Sequence, residues 1–185
     1  QLPPTNFFKA SNFDEDEDED ESTIEESILE LANSAFYPKH RLLWHYRSRH
    51  ESLIAFSNNY IYDNELVIFP SPQKSEDKMG VSLVRVNGIY QNRLNSTEAS
   101  AVVDAVIDFM RTDSDRSIGI VTMNQSQMEL IESSILRQTE NNKPVRDYIE
   151  KWSVKDEGLQ KFFVKNIENV QGDERDVIFI STVYG

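Results

Sequence analysis

The chain has 185 residues, of which 38% are apolar and 28% charged, enough to bury one domain of ordinary size beneath a well-solvated surface. No apolar run approaches the roughly 20 residues that cross a bilayer, which excludes a membrane-spanning helix. Zero cysteines exclude disulfide scaffolds, thiolate metal sites and cysteine nucleophiles, and the expected setting is a reducing one, the cytoplasm.

Net charge is −13, but its distribution is lopsided. The run Asp14–Glu21 carries eight consecutive negative charges, and without them the chain stands at −5. Eight adjacent like charges repel and cannot pack, so 14–21 is expected to be a disordered loop. A strongly acidic chain ordinarily argues against nucleic acid. Here the acidity reports mainly one segment and leaves room for a local basic groove. The default reading of the run is a solvated loop; a sharper one makes it a nucleic-acid mimic that shields such a groove. The opening Gln1-Leu2-Pro3-Pro4 has no basic-then-apolar leader, so no signal peptide is expected.

In chain order, Ser22 or Thr23 is expected to cap a helix reaching about Ser34, because Ile24, Ile28, Leu31 and Ala35 recur at helical spacing. Arg41–Trp44 reads as a short buried strand, and His50–Tyr62 as a helix with Leu53, Ile54, Phe56, Tyr60 and Ile61 on its apolar side. A run Leu66–Phe69 leads into a loop extending to Lys78. Val81–Val86 alternates like a strand, and Gly88–Asn95 is a polar loop. Ser96 or Thr97 should cap a strong helix over about 98–110. Ile118–Val121 suits a central parallel strand buried on both faces. A helix over 125–138, a loop at 141–144, a short helix over 145–152 and strands at 162–164 and 176–181 complete the pattern. Strands alternating with amphipathic helices predict an α/β fold with a parallel sheet.

No self-sufficient catalytic centre is visible. None of the six glycines is followed by Lys, so the phosphate-cradling Gly-Lys-Ser/Thr loop is absent. His40, His45 and His50 lie five apart, off a common helical face and off zinc spacing, and read as structural. No Gly-x-Ser-x-Gly elbow occurs, and Asp173, Glu174 and Asp176 sit too tightly together for a nuclease carboxylate cluster.

Three segments carry partial signals. One is Gln1-Leu2-Pro3-Pro4-Thr5. A second is Leu43-Trp44-His45-Tyr46-Arg47-Ser48-Arg49-His50, a strand end that delivers two arginines into a turn, where a planar guanidinium suits a phosphate or a surface carboxylate. The third runs from Val164 to Ser181: a strand, a polar loop centred on Gln171-Gly172, and a second strand. There Gly172 permits close backbone approach to a ligand, and Glu174 can accept from a ribose hydroxyl or position a water.

In this order and spacing the segments resemble superfamily 1 helicases, in the branch of the RNA-surveillance helicases and large bacterial helicase-like proteins. Gln1–Pro4 is similar to the end of motif III, and Tyr46–His50 with Leu53–Asn58 to motif IV and its helix. Ile118–Thr122 with Gln127 resembles the strand and helix labelled IVa, and Val170–Ile178 resembles motif V, the most specific match. The resemblance implies a RecA-like, P-loop NTPase-type parallel sheet flanked by helices. Residues 1–35 would then be the tail of a first RecA-like domain with the acidic loop, and 36–185 a second RecA-like domain incomplete at its C-terminus.

The roles implied are equally specific. Gln1 would sense the γ-phosphate, Arg47 would be an arginine finger, and Tyr46, Gly172 and Glu174 would line the ATP site. Gln1, Arg47 and Glu174 form the implied catalytic set. Thr122, Asn166, Asn169 and Gln171 would touch single-stranded DNA or RNA through sequence-independent contacts. The phosphate loop and the Mg²⁺ carboxylates belong to upstream motifs, and a second arginine to a motif past Gly185. The chain is therefore expected to be a piece of an ATP-dependent helicase or translocase, inactive alone, working against the first RecA-like domain of the same parent. The rival is a catalytically silent RecA-like module that binds protein or nucleic acid.

Overall fold

Ile118–Thr122 (β3) is buried at all five positions, as a strand covered on both faces must be. In the computed structural model, which describes residues 28–71 and 79–184, β3 is the middle strand of a three-stranded parallel sheet. Phe163–Asn166 (β4) pairs on one side, with Gly119 opposite Phe163 and Thr122 opposite Asn166. Val177–Ser181 (β5) pairs on the other, with Ile118 opposite Val177 and Thr122 opposite Ser181. Gly119 is required by its neighbour strand: a Cβ there would stand 2.4 Å from the Phe163 ring.

Three helices pack on this sheet: Ser96–Thr112 (α3), Gln125–Asn141 (α4) and Lys143–Val154 (α5). Val103, Val106, Ile107 and Met110 of α3, Ile131 and Ile135 of α4, and Val145, Tyr148 and Trp152 of α5 form one core with Ile118, Ile120 and Val164. Each large aliphatic side chain so buried contributes about 1.5–3 kcal/mol relative to exposure. At the N-terminal edge of the sheet, Ser117 and Asp176 tie β3 to β5. The Ser117 amide donates to Asp176 Oδ2 at 2.9 Å, and the Asp176 amide to Ser117 Oγ at 3.0 Å. Tyr148 Oη donates to the Arg116 carbonyl at 2.7 Å and Trp152 Nε1 to that of Ser114 at 3.2 Å, which fastens α5 to the turn before β3.

These elements belong to the second of two compact units, which begins at Leu83; the described residues up to Ser82 belong to the first. In the first, Ile28–Ala35 (α1) precedes a two-residue parallel ladder of Trp44–His45 (β1) with Val67–Ile68 (β2), and Ser52–Tyr60 (α2) connects the strands. Asn58 holds that crossover together: its Oδ1 accepts the Leu66 amide at 3.0 Å. Parallel sheets flanked by helices are the α/β architecture of the RecA-like, P-loop NTPase type.

Several local expectations are corrected. The strand placed at Arg41–Trp44 is β1 at Trp44–His45, and Leu42 and Trp44 are exposed rather than buried. The alternating Val81–Val86 forms no strand, because among the described residues no neighbouring backbone pairs with it. The loop placed at 141–144 shrinks to Asn142, since Pro144 fits the first turn of α5, where its missing N–H costs nothing. Leu53, Phe56, Tyr60 and Ile61 of the α2 region are exposed. The acidic run 14–21 and the cap at Ser22 or Thr23 lie outside the described residues.

Candidate functional site

Because β3, β4 and β5 are parallel and in register, their C-terminal ends fall on one edge of the sheet. Ligands of open α/β sheets bind outside this edge, where the loops leave the strands. Thr122, Asn166 and Ser181 end the three strands, and the loop before α3 arrives beside them.

The edge is built on a buried polar network. Asn95 caps α3, its Oδ1 accepting the Glu98 amide at 3.1 Å, so the cap falls one residue before the expected Ser96. Glu98 Oε1 accepts the Ser181 hydroxyl at 2.8 Å and the Val183 amide at 3.1 Å, while its Oε2 accepts Asn95 Nδ2 at 3.1 Å. The Gln127 side chain exchanges bonds with the Asn95 backbone: Oε1 accepts its amide at 2.9 Å, and Nε2 donates to its carbonyl at 3.1 Å. Asn95, Gln127 and Ser181 are fully buried. Such a network is rigid because every broken bond strands a buried partner.

On this base sit the residues singled out for nucleic acid. Thr122 is fully buried and donates its hydroxyl to the Asn124 carbonyl at 2.8 Å, so its side chain shapes the turn into α4 and presents no surface. Asn124 caps α4 by accepting the Gln127 amide at 2.8 Å. Asn166 Nδ2 reaches Gln125 Oε1 at 3.5 Å, while its Oδ1 is buried without a partner, an acceptor that a ligand or an ordered water would satisfy. Asn169 and Gln171 are exposed in the segment that follows β4.

Gly172 has φ +88° in the turn closed by the Asp173 amide on the Val170 carbonyl, the third position, where a type II turn needs positive φ. Nothing lies within 4 Å of a Cβ built there, so the backbone is open to an incoming ligand. Lys165 pairs with Asp173 and draws the turn back against β4. Glu174 is exposed, and its carbonyl accepts Arg175 Nη1 at 2.5 Å. The Arg175 guanidinium also donates twice to the Lys161 carbonyl and lies over the Phe163 ring, 4.7 Å from its centre.

In the first unit, the Ser48 amide donates to His45 Nε2 at 3.2 Å, and the Ser48 hydroxyl lies 2.7 Å from the same nitrogen. This closes a turn immediately past β1 whose middle residues are Tyr46, 87% exposed, and Arg47, also exposed. His50 Nδ1 accepts the Ser52 amide at 3.2 Å and so starts α2. His45 and His50 thus do local structural work. Among the described residues no group of three or more His, Asp or Glu side chains could hold a metal ion. Gln1 lies outside the described residues.

Residues 24–185 match the family model described as an AAA domain. The chain is also similar to two curated proteins. It is 38% identical over 192 aligned residues to the uncharacterized ATP-dependent helicase MG140 of Mycoplasma genitalium, and 37% identical over 191 to the homologue of that protein in Mycoplasma pneumoniae. Each alignment takes in the whole of this chain but 17% of the relative, so the chain spans about a sixth of their length. No solved structure matches it.

Proposed function

Since this chain belongs to the AAA-domain family, we propose that it is the second motor domain of an ATP-dependent helicase or translocase of the superfamily 1 kind. The observation that carries the reading is the C-terminal edge of the sheet. The resemblance assigns Thr122, Asn166, Asn169 and Gln171 to nucleic acid, and all four lie at or just past the ends of β3 and β4. The helicase names of relatives similar along the whole chain support it.

In this proposal a single strand of DNA or RNA crosses the edge. Asn166, Asn169, Gln171 and the open backbone at Gly172 meet its sugar-phosphate chain, and Thr122 sets the turn beneath them. Contacts of this kind are indifferent to sequence and tolerate an acidic protein. Tyr46 and Arg47 stand exposed past β1 and would reach ATP held by the first RecA-like domain of the same parent. Arg47 would offset charge that develops on the γ-phosphoryl group during transfer. Gln1 and Glu174 complete the catalytic set. The phosphate loop and the Mg²⁺ ligands would come from the first domain, so this chain alone would not turn over ATP.

The test is ATP hydrolysis by the full-length protein with and without single-stranded oligonucleotide. Strand-stimulated turnover, absent from the isolated 185 residues, is the expected result. A full-length protein that neither hydrolyses ATP nor binds a strand would leave the reading without support and favour a silent interaction module.

A further inference from the structure

The turn after β5 is strained. Val183 has φ 71°, a left-handed backbone that a β-branched residue adopts at a cost and that persists only where its surroundings enforce it. Here they do. The Val183 side chain is fully buried, its amide donates to Glu98 Oε1, and its carbonyl accepts Asn95 Nδ2 at 3.2 Å. Tyr184 therefore leaves the sheet edge from a backbone held on both sides. Its ring is 61% exposed and lies 5.0 Å from the Tyr90 ring, itself 42% exposed, with the planes at 59°.

Tyr90 is held as firmly. Gly88 packs so closely on Asn95 that a Cβ would stand 2.1 Å from its Oδ1. Gln91 and Leu94 exchange backbone hydrogen bonds of 2.8 and 3.0 Å around Asn92 and Arg93, both at positive φ, and Asn124 Nδ2 grips the Arg93 carbonyl at 3.2 Å. Two segments far apart in sequence are thus tied to one buried network, and each brings a large ring to the same point.

We propose that Tyr90 and Tyr184 form a stacking platform for an unpaired base of single-stranded nucleic acid. Arg93, exposed in the Gln91–Leu94 turn next to Tyr90, supplies the cation for the adjoining backbone. The occupant follows from the chemistry. Two part-exposed rings, flanked by Gln91, Asn92 and one arginine, offer a π-face to any base and a charge to a phosphate. They also stand at the sheet edge that the residues assigned to nucleic acid share, with β5 on the far side of β3 from Asn166. A base inside a duplex has no free face, so the platform takes single strands. This inference rests on the nucleic-acid reading above.

The test uses the full-length protein and two fluorescent probes of equal length, an oligothymidine strand and an abasic strand with the same phosphates. Tyr184→Ala should weaken thymidine binding about tenfold, the effect of losing one stacked base, and leave abasic binding unchanged. Tyr90→Ala should act in the same direction, and Tyr184→Phe, which keeps the ring, should bind like the wild type. Tyr184→Ala unchanged on both probes, or weakened equally on both, would overturn the platform while leaving the proposed function standing. Wild-type protein that binds neither probe would overturn the proposed function itself, and the platform with it.

Discussion

The Glu98 carboxylate and the Val183 amide meet at 3.1 Å across 85 positions of sequence, and this bond joins the first turn of α3 to the loop after β5. The same carboxylate accepts from Ser181 and Asn95, so one side chain fixes the register of two loops at the C-terminal edge of the sheet. Glu98→Ala strands those donors inside the protein and should cost about 3 kcal/mol, each unpaired buried group costing on the order of 1–3. Glu98→Gln retains one acceptor oxygen and should cost less. Denaturant unfolding of the two variants checks the order, and equal losses would mean that the network is not what holds the loop.

How much of this was legible follows from range. The core helices and β3 were legible because each carries its own period: Val102, Val103, Val106 and Met110 mark one face of α3, and Ile118–Val121 is apolar throughout. The Val81–Val86 stretch forms no strand because strand character needs a partner, and local alternation does not say whether one arrives. Gln127 belongs to the segment resembling motif IVa, but its fully buried bonds to Asn95 join positions 32 residues apart and have no local signal. The Asn95-x-x-Glu98 spacing did carry a capping signal. Ser96 and Thr97 beside it are equally good cap residues, so local sequence does not choose among the three. Tyr90 and Tyr184 gave no local sign, since their meeting depends on the network beneath them.

Gly119→Ala should be among the most damaging single-methyl changes. The added Cβ would stand 2.4 Å from the Phe163 ring in the middle of the sheet, and overpacking of this kind costs about 1–3 kcal/mol. Gly172→Ala meets no atom within 4 Å and bears only the cost of its positive φ, about 1 kcal/mol. Thermal melts of the pair should show the larger drop for Gly119→Ala. The reverse order would mean that the Phe163 ring swings aside.

Burial pushes the Tyr148 phenol well above its ordinary value of 10.0. The unfolded chain loses that proton near pH 10 while the folded chain keeps it, so the stability this group contributes is complete below pH 10 and drains away as pH rises beyond it. Tyr148→Phe removes the titration together with the 2.7 Å bond to Arg116, a loss of about 1 kcal/mol at neutral pH. Above pH 10 the variant should therefore lose stability less steeply than the wild type. Parallel slopes in denaturant midpoint between pH 9 and 11 would show that Tyr148 is not the group responsible.

With Arg47 as the proposed arginine finger, Arg47→Ala in the full-length protein should leave ATP binding nearly intact and cut turnover by about 10³, because such a finger acts on transition-state charge. Arg49→Ala is the internal control and should matter less. Lost nucleotide affinity with unchanged turnover of bound ATP would assign Arg47 to ground-state binding instead.

Deleting 14–21 takes the chain from −13 to −5. A run of eight like charges contributes no apolar burial, and its removal relieves self-repulsion, so the melting point should hold or rise. Affinity for a fluorescent single strand should rise at low salt and converge on the wild type as salt increases, because the gain is a screened and sequence-independent attraction. The comparison is a salt series on both forms alongside thermal melts. A melting point lower by many degrees would make the run structural, against its composition. Equal affinity at every salt would remove the shielding role and leave a solvated loop, with the proposed strand contacts at the C-terminal edge unaffected.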